Sequence, residues 1–169
     1  GSKNRKERGG QVLRCETCER HIFPRTDPVV IMLIIDASNE ERCLLGQGKG
    51  RMVQSNFYSA LAGFIDQGES IEEAVRREVR EESQVKVGRV QYHSSQPWPF
   101  PSSLMIGCHA LALSTEIIVN SSEMANVSWF SKEEVIASLN NQHPELTVPG
   151  RMAIAHHLIK SWAEGEVQF

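Results

Sequence analysis

The stretch from Gly63 to Val85, GFIDQGESIEEAVRREVREESQV, narrows the possible architectures of this chain more than any other. Gly63 and Gly68 turn the backbone, and Ser70 and Glu73 stand at the Ser-x-x-Glu spacing of a capping box. That spacing predicts a helix beginning at Ser70. No Gly or Pro follows until Gly88, and the intervening residues are mostly good helix formers. Each helical residue turns about 100°. With Glu78 as origin, Ile71, Glu82, Val75 and Val79 fall within the next ~100°, and Ala74 lies near ~−40°. Arg76, Arg80 and Glu73 fall opposite, and Glu72 lies on the flank. Glu78 and Glu82 therefore share the sector whose apolar residues face the core, with Glu81 at its edge. An uncompensated carboxylate in such a sector is strongly destabilising. Pairs such as Glu72–Arg76 and Glu73–Arg77 account for the outer face of the helix but not for Glu78 and Glu82. Clustered carboxylates with no basic residue among them point to a hard divalent cation.

The remaining chain alternates strand-like and helical segments. Residues 1–14 are polar and basic and read as a mobile loop. Cys15-Glu16-Thr17-Cys18 is a Cys-x-x-Cys knuckle, which supplies two of the four ligands of a structural zinc site; a redox pair and an unstructured pair are the other readings. Val29 to Ile35 is a continuous apolar run, the pattern of a fully buried central strand. Asp36–Arg42 reads as a hairpin turn, Cys43–Leu45 as a short return strand, and Gln47–Ser55 as a loop. Phe57–Ala62 and Lys86–His93 read as strands. Ser95 to Ser103 holds three prolines within five residues, which forbids helix and interior strand and fixes an extended segment displaying Trp98 and Phe100. Those rings either plug the core or form a wall for a flat ligand ring. Leu104–Leu113 is an apolar strand, and Glu116–Val119 is expected to pair with it as a hairpin. Val127–Phe130 is a short strand. Ser131 and Glu134 form a second capping box that opens a helix to Leu139. Pro149–Ala163 reads as an amphipathic helix with Met152, Ala155, Leu158, Ile159 and Trp162 inward. Strands between helices predict a mixed β-sheet in an α/β/α sandwich.

The 169 residues suit one sizeable domain with a small appendage. A net charge of −3 advertises no broad basic surface for nucleic acid or membrane, and no apolar run is long enough to span a bilayer. Four irregularly spaced cysteines make no disulfide framework and place the chain in a reducing, intracellular setting. The cytoplasm is the default compartment, with peroxisome and mitochondrion open. Cys43 and Cys108 read as buried small hydrophobes. The histidines are scattered and read as surface or core residues.

Gly63, Glu69 and the run Arg77-Glu78-Val79-Arg80-Glu81-Glu82-Ser83-Gln84-Val85 resemble the Nudix box, G-x5-E-x7-R-E-U-x-E-E-x-G-U, at every fixed position but the last glycine. Gln84 stands there, where a glycine C-cap would permit a left-handed turn, so it should cost a little stability or shift the helix end. Ser95 to Ser103, SQPWPFPSS, resembles the S-Q-P-W-P-F-P-x-S signature of NADH pyrophosphatases, a Nudix family whose zinc ribbon precedes the catalytic domain. The resemblance implies the Nudix fold over 26–169 and the second half of a zinc ribbon, with a linker, over 1–25. It implies metal-dependent hydrolysis of the diphosphate of NADH or NAD⁺ to AMP and the nicotinamide mononucleotide, and in some members removal of NAD caps from RNA. It implies Mg²⁺ or Mn²⁺ held by Glu78, Glu81, Glu82, Glu123 and the Ala62 carbonyl, with Glu81 a further ligand or the base that activates water. Gln96, Pro97, Trp98, Pro99, Phe100, Pro101, Ser102 and Ser103 would line the nucleotide pocket. Phe23 would touch substrate at a position where the family often has tyrosine, and Ala155 would offer a backbone contact. From the residues alone, Glu123 reads as a solvated loop glutamate, Phe23 as a buried aromatic and Ala155 as plain packing. Cys15 and Cys18 would be zinc ligands. Homodimers are common in the family. Turnover of another substrate such as ADP-ribose, and a nucleotide-binding domain with little turnover, are the competing readings.

Overall fold

The computed structural model of the chain describes residues 2–50, 56–99 and 101–169. Its N-terminal part is not the expected loop. β1 (Asn4–Glu7), a 3-10 turn over Arg8–Gly10, β2 (Val12–Cys15) and β3 (His21–Ile22) form a small antiparallel sheet in the order β1-β2-β3. Gly9 and Gly10, at φ 68° and 95°, supply the left-handed turn. Arg5 donates to Glu7 at 2.9 Å, and Arg14 lies across the ladder at 3.8 Å from the same carboxylate. A strand held by backbone pairing and charged partners carries no apolar alternation, so its composition reads as loop.

The main sheet is built from β4 (Asp27–Asp36), β5 (Arg42–Gly48), β6 (Leu61–Phe64), β7 (Val87–Trp98), β8 (Ser103–Ala112) and β9 (Met124–Ser131). Among the described residues its order is β7-β8-β4-β5-β9, with β6 paired to β4 over Val29–Met32. β4 and β8 run parallel and the other neighbours antiparallel, so the sheet is mixed. α1 (Ile71–Ser83) covers one face, where Val30, Met32 and Ile34 meet Ala74, Val75 and Val79. α2 (Lys132–Leu139) and α3 (Ile154–Ala163) cover the other, where Ile31, Leu33 and Ile35 meet Val135, Leu158 and Ile159. The α/β/α sandwich is thus present, and β4 is apolar from Val29 to Ile35 because both its faces are covered there. Cys43 and Cys108 are fully buried in these two layers.

Several boundaries differ from those expected. The regular strand before α1 is Leu61–Phe64; in the described part of the expected strand upstream of it lie isolated bridges at Phe57 and Ser59. β5 runs on through Gln47 and Gly48, while the rest of the expected loop, at 51–55, lies outside the described residues. β7 continues through Pro97 to Trp98, which it can do because it is an edge strand and proline leaves no ladder donor unpaired there. Glu116–Val119 is no strand. Its Ile118 N–H and the Asn120 N–H donate instead to the carbonyls of Ser83 and Glu82, docking this segment on the end of α1. α3 begins at Ile154 rather than Pro149, because Gly150 to Ala153 form a turn closed by Ala153 N–H on the Gly150 carbonyl. Met152, on that turn, is 89 % exposed rather than inward.

Candidate active site

The capping box starts α1 where the sequence predicts. Ser70 accepts from the Glu73 N–H at 3.2 Å, and the Glu73 carboxylate accepts from the Ser70 N–H at 2.8 Å. The helix ends on Gln84 in the left-handed conformation at φ 61°, its N–H donating to the Arg80 carbonyl. Gln84 thus takes the left-handed conformation that a glycine would take, and the helix end is not shifted. Gln84→Gly should raise the unfolding free energy by about 1 kcal/mol in a denaturant titration.

Between these ends the carboxylates are arranged as the helical period requires. Glu82 is 7 % exposed, and its Oε2 is buried without a hydrogen-bond partner. Burial, and then the neighbouring Glu78, Glu123 and Glu81, push its carboxyl up to about 8. Glu78 is likewise raised, first by burial. Its carboxylate lies directly on the backbone of Gly63 in β6, so that any Cβ at 63 would overlap it. Arg77 gathers the acids around it. Its guanidinium donates to Glu69 Oε1 and Oε2 at 2.6 and 2.8 Å, to Glu78 Oε1 at 2.8 Å, to Glu81 Oε2 at 3.2 Å and to the Phe64 carbonyl at 2.8 Å. Arg77 first, and then the Asp66 N–H, hold Glu69 down at about 2. A basic residue therefore does stand among the carboxylates, and it compensates Glu78 and Glu81. It leaves Glu82 without a partner.

Two further candidate oxygens are oriented by tertiary structure. Ile65 N–H donates to the Pro28 carbonyl across β4 and β6. Antiparallel pairs alternate, so Val30 and Gly63 form the next hydrogen-bonded pair, while Ile31–Ala62 and Val29–Phe64 are non-hydrogen-bonded. The carbonyls of Ala62 and Phe64 accordingly point away from β4. Arg77 takes that of Phe64, and that of Ala62 faces outward on the same side. Glu123 is exposed, but its loop is tied to α1 by Asn120, whose N–H donates to the Glu82 carbonyl and whose own carbonyl accepts from Glu123 N–H at 3.1 Å. Glu123 adds to the upward shift of both Glu78 and Glu82, after burial and other charged neighbours.

A divalent cation fits this donor set. All the candidate donors are oxygens, the side-chain ones carboxylates, and an orphaned buried oxygen on a carboxyl raised first by burial and then by like charges lacks the counter-charge that a hard ion carries. Among the described residues no three His, Cys, Asp or Glu side chains already surround one point closely enough to hold an ion. Arg77 keeps Glu78 and Glu81 gathered instead.

The proline-rich segment splits between the two faces of β7. Gln96 and Trp98 join Ile31, Ser59, Met105 and Ala155 in lining a cleft of about 360 Å³ on the α3 side. Trp98 is 46 % exposed at this cleft, so it does not plug the core. Pro97, Pro99, Pro101, Ser102 and Ser103 line a separate cleft of about 390 Å³ with Arg25 and Thr26. Ser102 also donates to Asp27 at 2.9 Å. Phe100 lies outside the described residues. Phe23 is 66 % exposed, edge-on to His21, and not a buried aromatic. The cleft and the carboxylates lie on the two faces of β6: Ala62 pairs with Ile31, a cleft residue on the α3 side, and the next residue, Gly63, has the Glu78 carboxylate against it on the α1 side.

The family model described as NUDIX domain matches residues 25–148. The chain belongs to the NUDIX family. It is 53 % identical to the NAD-capped RNA hydrolase NUDT12 of Homo sapiens over 141 residues, which are 83 % of this chain and 30 % of that protein. It is 43 % identical to the mitochondrial NAD(P)H pyrophosphatase NUDT13 of Mus musculus over 180 residues, covering 97 % of this chain and 49 % of that one. The chain thus spans less than half the length of these curated relatives. Among solved structures, a NUDIX hydrolase from Nitrosomonas europaea superposes with a TM-score of 0.71 at 18 % identity, over 96 % of this chain and 85 % of that one, which shows the shared fold.

In this NUDIX domain, sequence reading passed over Asn120 and the cleft residues Ile31, Ser59, Met105, Ala153 and Ile154. Strand register brings Ile31 and Met105 together, and no local pattern carries register. Glu69 as the main partner of Arg77 was readable, since both are fixed positions of the motif. The Cys15 thiol is lowered to about 7 by the Cys18 and Thr17 N–H groups, so the knuckle presents a donor already inclined to the thiolate. His109 is buried against the Leu158 carbonyl at 2.9 Å and lowered to about 4 by burial, a core residue as expected.

Proposed function

We propose that this NUDIX domain hydrolyses the diphosphate of NADH or NAD⁺ to AMP and the nicotinamide mononucleotide, and that it accepts the same linkage at an NAD-capped RNA 5′ end. The observation that carries the reading is the unpartnered Oε2 of Glu82, within a carboxylate cluster that adjoins an apolar cleft across Ala62 and Gly63. The names of the relatives that share about half of this sequence favour the same substrate class.

Glu78, Glu81, Glu82, Glu123 and the Ala62 carbonyl would hold Mg²⁺ or Mn²⁺. Such ions, when bound, supply the charge that neutralises a diphosphate and acidify water. The protein's own contribution is placement. Trp98 offers a ring face at the mouth of the cleft, and the cleft leads the diphosphate over β6 to the acids. Glu81 is the most solvent-exposed of the three box acids and is bonded to Arg77 only through Oε2, so its Oε1 is free to take a proton from the attacking water. Arg77 keeps Glu78 and Glu81 on one side of the helix. Cys15 and Cys18 are half of a zinc site at the tip of the small sheet, and residues 1–25 form a unit apart from the NUDIX domain at 26–169.

Incubation with Mn²⁺ and NADH should yield AMP and reduced nicotinamide mononucleotide. Turnover of ADP-ribose without any from NADH would replace this substrate, and tight binding without product would make the domain a receptor. Trp98→Ala should raise KM for NADH by about tenfold or more, since stacking on a base contributes ~1–3 kcal/mol. Metal affinity should stay as it was, and an unchanged KM would remove Trp98 from the wall.

A further inference from the structure

The NADH pyrophosphatase resemblance places Gln96 against substrate, yet its side chain is engaged elsewhere. Its Nε2 donates to the Met152 carbonyl at 2.8 Å, and its Oε1 accepts from the Ile154 N–H at 2.8 Å. Ile154 is the first residue of α3, and its N-cap, Ala153, makes no side-chain capping bond. A helix leaves its first N–H groups without partners unless something outside supplies them. Here an amide from β7, 58 residues earlier in the chain, supplies one of them. The seat beneath it is shaped to match. A Cβ on Gly107 of β8 would approach the Ile154 Cδ1 to 2.9 Å and the Ser94 carbonyl to 3.2 Å, so only a glycine lets Ile154 settle this close to the sheet.

The two ends of this link are the two walls of the nucleotide cleft. Trp98 stands two residues after Gln96 on the same face of β7, and Ala153, Ile154 and Ala155 form the opposite wall. We infer that Gln96 is a positioning residue that sets the spacing between Trp98 and the first turn of α3. It acts through the backbone of Met152 and Ile154, and its effect is on ground-state fit rather than on the chemical step. The inference rests on the reading of this cleft as the nucleotide site.

The test uses the whole chain with Mn²⁺ and NADH, together with amide hydrogen exchange of the ligand-free protein. Gln96→Met keeps the length and loses both bonds. It should raise KM about tenfold while kcat changes less than about twofold, and should speed exchange at the Ile154 amide. Gln96→Glu keeps an acceptor for Ile154 and loses the donor to Met152, so it should raise KM less and leave the Ile154 exchange near the wild-type rate. An unchanged KM in Gln96→Met would overturn the inference. So would a raised KM with unaltered exchange at Ile154, which would make Gln96 a direct substrate contact, and so would a loss confined to kcat. If the wild type itself does not turn over NADH, it is the substrate reading that fails, and the exchange arm still reports whether the clamp holds α3.

Discussion

Glu82→Gln should lower turnover of NADH on the order of a thousandfold, about 4 kcal/mol of barrier, while making the metal-free protein more stable. Both effects come from one buried oxygen. Glu82 Oε2 has no hydrogen-bond partner, and burial together with Glu78, Glu123 and Glu81 pushes its carboxyl up to about 8, against an ordinary 4.5. A carboxyl raised on folding holds its proton in the native state and releases it in the unfolded one. The stability this gives is fully present below about pH 4.5 and is lost as pH rises toward 8. The slope is at most ~1.4 kcal/mol per pH unit for one group. The wild type without metal should therefore melt at progressively lower temperature between pH 5 and pH 8, and Glu82→Gln should lack that component. Adding Mn²⁺ at pH 8 should restore the wild type more than the variant, because an ion bound only to the native state stabilises it by mass action. Thermal melts of the two proteins across this range, with and without Mn²⁺, check all three statements. A variant that turns over NADH at the wild-type rate would remove Glu82 from the ligand set.

Gly63→Ala is expected to be nearly as damaging to activity and far less so to folding. The Cβ that alanine adds would coincide with the Glu78 carboxylate, which must leave. Glu78 is the flexible end of a side chain, so the strand and helix can stay in place while the carboxylate swings out. In doing so it gives up its bond to Arg77 and its position beside Glu82. Misplacing a group of a catalytic constellation by about 1 Å can cost on the order of a hundredfold in rate. The expected result is a far-ultraviolet circular dichroism spectrum like that of the wild type with kcat/KM lower by about that factor. Gly46 makes a useful contrast. A Cβ there meets the Met124 Cε and a Leu61 methyl within the core and no carboxylate, so Gly46→Ala should lower stability by about 1–3 kcal/mol and leave the acids in place. Retained activity in Gly63→Ala would show that Glu78 need not lie against β6.

The sequence alone settled what depends on local periodicity and on short-range chemistry. The capping box of α1, the inward aim of Glu78 and Glu82, the doubly buried β4 and the second capping box at Ser131 all follow from spacings within one element, and all are present. The tertiary structure decided what depends on register and on contacts distant in the chain. β1 is invisible in composition because backbone pairing and ion pairs hold it rather than an apolar face, and β2 buries only Val12. Glu123 looks like any loop glutamate until Asn120 ties its loop to α1, and the Ala62 carbonyl turns outward only because β6 pairs with β4 in one register and not the next. A residue's own sequence neighbourhood sets which face it occupies, but a strand slipped by one position would reverse every carbonyl and side chain on it. Which oxygens meet at the end of α1, and which side chains share a cleft with Trp98, are therefore properties of the assembled sheet.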